Sequence, residues 1–351
     1  MSVRNALILL AGFTSALTGQ ATTGVASKAD SYIKATGIQG AVLLAKGGKI
    51  VLAKGYGLAN HEHAVANKPE TKFRLASITK QFTAAAILQL QEQGKLKVGD
   101  LISKYIPGIP EAWDGITVHH LLTHTSGVPS NTDSAHMRER EGPPLDFILQ
   151  FRNLPLEFAP GKRFRYNNPG YFLLGVIIEQ VSGMKYEDFL RKHIFEPLQM
   201  TDTGYDWPAT ILKDRASGYS KGEGGKVINA DFIDMGGPYA AGSLYSTILD
   251  LYKWDRALYT TKVLSSGSIE AAFTPIQFDW AEGIQYGYGW GISNVHGHKT
   301  VGHGGGINGF STVIWRAIEE DATAIILSNH EGAGNVGKIG KELLELLLNF
   351  P

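Results

Sequence analysis

The sequence predicts an α/β (α+β) fold: an antiparallel sheet flanked by helices, built from both chain ends, with an inserted mostly helical lobe. Three observations carry that prediction. Strand-like apolar runs flank the turn Lys46-Gly47-Gly48-Lys49 near the start. Such runs return after residue 285, separated by turns. Between them, apolar residues recur at helical spacing and prolines repeatedly break the chain.

Each element follows in order. Residues 27–36 read as a short amphipathic helix ending at Gly37. Residues 41–45 and 50–57 read as two strands of a hairpin. Residues 73–93 read as a helix through Phe82, Ala85, Ala86, Ile87 and Leu90, stopping at Gly94. A long stretch of short helices and loops follows, with prolines at 107, 110, 129, 143, 144, 155, 160 and 169. Helices are clearest at 171–182, 186–195 and 250–259. The pattern then changes to strands at 288–294, 298–302, 309–316 and 323–328, and ends in an amphipathic helix at 336–348. The economical arrangement pairs the early hairpin with the late strands in one sheet. That gives an α/β lobe of about 22–72 and 285–351, and a helical lobe of about 73–284. A cleft between two such lobes is a natural place for a site.

Composition narrows the function. Lys and Arg number 33, as do Asp and Glu, so the formal charge is zero. That argues against a phosphate-dominated nucleic-acid binder or a polybasic membrane-surface protein. A hydrophobic share of 43% excludes a mostly disordered chain. With no cysteine, disulfides, thiolate metal sites and thiol nucleophiles are excluded. Residues 1–21 carry one charge, Arg4, before the apolar run from Ala6 to Leu17, with Gly19 and Ala21 beyond. This reads as a secretory signal peptide, implying a secreted or periplasmic protein; a greasy helix of a cytoplasmic protein is the alternative. No later segment has the length of apolar sequence a membrane span needs.

Several motifs are decoys. Gly218-Tyr219-Ser220-Lys221-Gly222 matches a nucleophile elbow, but it lacks the strand before and the helix after, and reads as an exposed loop. Gly304-Gly305-Gly306-Ile307-Asn308-Gly309 fits a dinucleotide fingerprint, yet a strand follows it rather than a helix. The histidines at 61, 63, 119, 120 and 124 lack metal-ligand spacing and read as surface or packing residues.

Three other elements carry chemistry. Ser77-Ile78-Thr79-Lys80 stands at the start of a helix, where residues three apart share a face. Ser77 is then a candidate nucleophile with the Lys80 amine as its base, provided burial or nearby positive charge favours the neutral amine. The helix start also aims N–H groups at any oxyanion formed there. Ser31-Tyr32-Ile33-Lys34 has the same spacing but reads as a solvent-facing pair. The second element, Tyr166-Asn167-Asn168, lies in a proline- and glycine-bounded loop. Tyr166 can relay a proton, and Asn168 can fix Lys80 and a substrate amide together. The third, His303-Gly304-Gly305, ends a strand; Gly305 lets a substrate backbone approach, and the Gly306 N–H can join that of Ser77 in an oxyanion hole. Taken singly, each has a bland alternative: a helix-start serine, a buried loop tyrosine with a capping asparagine, a packed strand end.

In this order the three elements resemble the serine β-lactamase and penicillin-recognising superfamily. The branch is that of class C β-lactamases, D-Ala-D-Ala carboxypeptidases and related esterases. Its signature is S-x-x-K, Y-x-N and K/H-x-G. Leu121–Gly127, Ala241–Thr247 with Asp250-Leu251, and Gly302–Gly306 match the same branch, so the resemblance runs from about Ile38 to the end. It implies a serine β-lactamase-like fold, with the serine on a helix between the lobes. It implies a serine hydrolase that forms an acyl-enzyme on a D-amino-acid peptide, an ester or a β-lactam, with no metal or organic cofactor. The partner is a small-molecule or peptide substrate. The position of Asn131, just past the Thr-Ser-Gly stretch, corresponds to a substrate-amide contact. His303 stands where many β-lactamases carry lysine, and a neutral imidazole attracts a carboxylate less than an ammonium does. That favours a peptidase or esterase. The rival is a penicillin-binding sensor or cell-wall binding protein that acylates without efficient turnover.

Overall fold

A computed structural model describes residues 24–130, 142–276, 285–332 and 335–350. Asn131 and the expected signal peptide lie outside them. Among the described residues, no helix is long and apolar enough to cross a membrane.

The two ends of the chain meet in one six-stranded antiparallel sheet. Its order is Gly291–Val295, His298–Ile307, Phe310–Ala317, Ala322–Ser328, Gly40–Lys46, Lys49–Tyr56. The last strand in sequence thus pairs with the first, Leu43 opposite Ile325 and Val42 opposite Ile326. Both strands carry apolar runs, Ala41–Ala45 and Ala324–Leu327, because both faces of the sheet are covered. Their side chains alternate between two cores. Val42, Leu44 and Ile326 face Ala29, Ile33, Leu343 and Leu347 of the two terminal helices, residues 24–36 and Val336–Leu348. Leu43, Ile325 and Leu327 join the larger core with Phe82, Ile87 and Trp254. The hairpin turn puts Gly47 at φ +57 and Gly48 at φ +70, the left-handed pair that a two-residue turn requires.

The helical part is centred on Thr79–Glu92, whose residues from Thr79 through Leu90 are all buried. A helix buried all round sits inside the molecule. Asn168–Ser182 packs against it and stops at Gly183, φ +70. Helix Ile248–Ala257 is tied to the sheet by a buried ion pair, Asp255 Oδ1 to Arg316 Nε at 2.5 Å, both fully shielded from solvent.

Three expectations are corrected. The helix expected at 73–93 begins later, because Phe73–Arg74 pairs with Leu244–Ser246 in a small three-stranded sheet. The strand expected at 298–302 continues through the glycines to Ile307. Tyr219–Lys221 is not loop but half of a small hairpin with Val227–Asn229. Only a short 3₁₀ turn, Glu223–Gly225, follows the strand, and Ser220 Oγ donates to Glu331 at 2.8 Å. The Ser31-to-Lys34 pair is solvent-facing as expected, with Lys34 bound to Asp30 at 2.8 Å.

Candidate active site

The backbone enters the site through a sharp turn. Leu75 N–H donates to Leu244 C=O at 2.7 Å, extending the small sheet. Ala76 then adopts φ +49, in the left-handed region that non-glycine residues rarely occupy. This ends the strand and starts the 3₁₀ turn Ala76–Ile78, which feeds the Thr79–Glu92 helix. Ser77 therefore stands just ahead of the helix proper. Backbone N–H groups there lack intrahelical acceptors and carry partial positive charge.

Lys80 lies one turn on and is fully buried. Its Nζ has three oxygens in reach: Ser77 Oγ at 3.1 Å, Asn168 Oδ1 at 2.8 Å and Ala241 C=O at 2.8 Å. It also sits 4.9 Å from the centre of the Tyr166 ring and 5.5 Å from that of Tyr171.

Asn167 and Asn168 divide the work at the start of the next helix. Asn167 caps it, accepting the Gly170 N–H at 2.6 Å, and its Nδ2 donates to Val128 C=O at 2.7 Å. Asn168, the first helical residue, turns its oxygen to Lys80. Tyr166 precedes them, 39% exposed.

The third element lies on a free sheet edge. Strand His298–Ile307 pairs with Gly291–Val295 only as far as Gly302, while its other side pairs with Phe310–Ala317 up to Ile307. His303 is 8% exposed. Its Nδ1–H donates to the Gly304 carbonyl at 2.6 Å, and Nε2 accepts from Tyr286 Oη at 2.9 Å. Burial, then the Lys80 charge, push the imidazole down to about 3, so it is neutral at neutral pH. Gly305 is required by the protein itself: a Cβ there would lie 2.3 Å from Leu75 O and 2.4 Å from Thr312 Oγ1. At Gly306 a Cβ would meet nothing within 4 Å. Ser77, Asn168 and Gly306 share a cleft of about 310 Å³, walled also by Ile233, Pro238 and Ile307.

The structure thus brings Ser77, Lys80, Tyr166 and Asn168 together, and places Gly306 in the same cleft as Ser77 and Asn168. Sequence reading missed the Ala241 carbonyl, Tyr286 and His124. Of the histidines near 120, His119 meets Tyr288 Oη at 2.8 Å and His120 caps its own helix with Thr117. His124 instead lies ring to ring with Tyr166, centroids 4.3 Å apart. Its place in the Thr-His-Thr-Ser-Gly stretch was the available signal. Among the described residues, no cluster of three or more His, Cys, Asp or Glu side chains could hold a metal.

Fold and site together define a hydrolase of the penicillin-recognising class. The chain belongs to the beta-lactamase family, whose sequence model matches residues 25–348. It is 34% identical over 312 residues to a penicillin-binding protein of Bacillus subtilis, covering 83% of this chain and 68% of the relative. Among solved structures it is similar to an octameric penicillin-binding protein homologue from Pyrococcus abyssi. That likeness has a TM-score of 0.81 at 34% identity, covering 92% of this chain and 77% of that one. The D-amino acid amidase from Ochrobactrum anthropi SV3, complexed with D-phenylalanine, gives a TM-score of 0.80 at 25% identity, covering 94% of this chain and 99% of that one.

Proposed function

We propose that this chain is a serine hydrolase that forms an acyl-enzyme on an amide or ester carbonyl. The observation that carries the reading is the buried Lys80 Nζ 3.1 Å from Ser77 Oγ. A neutral amine donates two protons, here to Asn168 and Ala241, and that turns its lone pair to the Ser77 hydroxyl. Ser77 Oγ attacks the carbonyl carbon while Lys80 and Tyr166 take its proton. The N–H groups of Ser77 and Gly306 hold the oxyanion. Collapse expels an amine or alcohol, which receives the proton back through Tyr166 and Lys80. Water then attacks the acyl ester, giving its proton to the same pair, and releases the acid with Ser77 restored. Asn168 positions both base and substrate, and the edge around His303 and Gly305 lines up the substrate chain.

The substrate class follows from charge. Among the described residues lining the cleft, none is charged, and His303 is neutral. This supports peptides, amides and esters with an uncharged group at that end over carboxylate-bearing β-lactams. The amidase resemblance points the same way.

A panel of a short p-nitrophenyl ester, a D-amino-acid amide, a D-Ala-D-Ala peptide and nitrocefin, run on wild type and Ser77→Ala, tests this. Steady turnover of the ester or amide, lost in Ser77→Ala, is expected. Stoichiometric release without turnover would establish the sensor instead, and turnover surviving Ser77→Ala would sink the assignment. Residues 1–21 we propose to direct export. The mass of protein released from expressing cells, lacking that segment, checks this.

A further inference from the structure

Residue 124 has an unusual backbone for a buried side chain. It is 1% exposed, at φ +59, where a non-glycine residue is held only when its surroundings demand it. Those surroundings are the chain on both sides of Tyr166. The His124 carbonyl accepts the Arg165 N–H at 2.9 Å. The ring Nδ1 accepts the Asn167 N–H at 3.0 Å. The ring itself lies against that of Tyr166, tilted 40°.

The ring chemistry fits this grip. Because Nδ1 accepts, the proton is assigned to Nε2. Nε2 is buried without a hydrogen-bond partner among the described residues. An apolar side chain would fill the same volume without leaving a donor unpaired, so volume alone does not account for an imidazole. What an apolar side chain lacks is the acceptor for Asn167. Burial, and then the nearness of Lys80 and His303, hold the ring well below the usual histidine range, which keeps that acceptor available.

We propose that His124 is a positioning residue that sets the Tyr166 ring over Lys80. The inference rests on the assignment of Tyr166 to proton transfer. The His124 ring lies closer to that of Tyr166, at 4.3 Å between centroids, than do the rings of His303 at 6.0 Å and Tyr286 at 6.4 Å. Clamping residues 165 and 167 and stacking on the ring fixes it from below. A displacement of about 1 Å at such a group costs about 100-fold in rate.

Two variants separate the parts of the grip. His124→Asn keeps an oxygen acceptor and tolerates the left-handed backbone but loses the ring. His124→Gly accepts the backbone and loses both. Each is made alone and with Tyr166→Phe. Steady-state kcat and KM are measured with a p-nitrophenyl ester, per site titrated by a fluorophosphonate. For His124→Gly we expect kcat per site about 10- to 100-fold down with KM within about threefold. His124→Asn should return to within about fivefold of wild type. In the Tyr166→Phe background neither substitution should lower kcat further, because the group being positioned is gone. If His124→Gly does not fold, the loss in His124→Asn and its disappearance beside Tyr166→Phe decide the matter alone. Wild-type kcat per site in His124→Gly, or losses that multiply in the double variants, overturn the inference and leave Tyr166 in place. Wild-type turnover in Tyr166→Phe removes the assignment of Tyr166 and the inference with it.

Discussion

Adjacent glycines on the cleft strand should respond oppositely to the same added methyl group. At Gly305 the new Cβ would lie 2.3 Å from Leu75 O, 2.4 Å from Thr312 Oγ1 and 3.1 Å from the Ala76 Cβ. The first of these atoms is backbone, so it cannot rotate away. Restoring ordinary contact means parting the strand from the Leu75–Ala76 segment by about 1 Å, and that segment carries Ser77. Overpacking of this kind costs about 1–3 kcal/mol. The same shift separates Ser77 from Gly306 across the cleft, so a rate loss of about 100-fold accompanies it. At Gly306 the Cβ points into open space. Gly306→Ala should therefore keep wild-type stability and act only on substrate, raising KM most for bulky acyl groups. The assay is urea unfolding of both variants, with kcat and KM for a short and a long p-nitrophenyl ester. Gly305→Ala with wild-type stability and kcat would refute the reasoning, as would Gly306→Ala being the unstable one.

Other predictions follow from the same structure. Ser77→Ala should lower ester turnover by several powers of ten, while Ser31→Ala and Ser220→Ala leave it near wild type; a dead Ser220 variant would point to the wrong nucleophile. Asp255→Ala leaves the Arg316 guanidinium buried without its carboxylate, so it should destabilise by about 3–5 kcal/mol in urea unfolding, and a loss below about 1 kcal/mol would show the pair to be dispensable. His303, held at about 3 when folded, stays neutral while an unfolded histidine takes up a proton below about 6.5. The unfolded state thus binds one more proton at this residue between those values, so its share of the stability should fall by about 1.4 kcal/mol per unit as pH drops below about 6.5, and not change above it. His303→Gln should lower that slope by about 1.4 kcal/mol per unit, His124 keeping its own share, and an unchanged slope would show that His303 contributes nothing to it.

What the sequence disclosed depended on whether side chains or backbone carried the signal. The paired end strands were legible because Ala41–Ala45 and Ala324–Leu327 are apolar runs bounded by turns. The terminal helix was legible because Val336, Ile339, Leu343 and Leu347 recur on one face. By contrast, the strand through Gly304, Gly305 and Gly306 has no side chains to show a period, and was read as a strand end. The late start of the Ser77 helix turns on a single dihedral at Ala76, which no residue type announces. Ser77, Lys80, Tyr166 and Asn168 were singled out by ordered motifs, and the fold brings them together. The groups that contact them were not, since His124 looks like its neighbours His119 and His120, and the Ala241 contact is a main-chain carbonyl.

The electrostatics explain why a lysine and a histidine occupy their respective motifs. Lys80 has two protons directed at Asn168 and Ala241 and its lone pair at Ser77, so as the neutral base it offers a substrate carboxylate no charge. The nearby imidazoles offer none either, because burial and the nearness of Lys80 keep His124 and His303 neutral. A lysine at 303 would add a charge only by giving up the bonds to Tyr286 and Gly304 and burying an ammonium beside the Lys80 amine. With histidine there, the cleft gains little from an anion and must discriminate by shape. Ile233, Pro238 and Ile307 supply apolar walls, and the edge beyond Gly302, unpaired among the described residues, leaves main-chain groups for a substrate in the function proposed above. That combination suits an uncharged acyl chain laid along a strand edge, with its carbonyl held between Ser77 and Gly306.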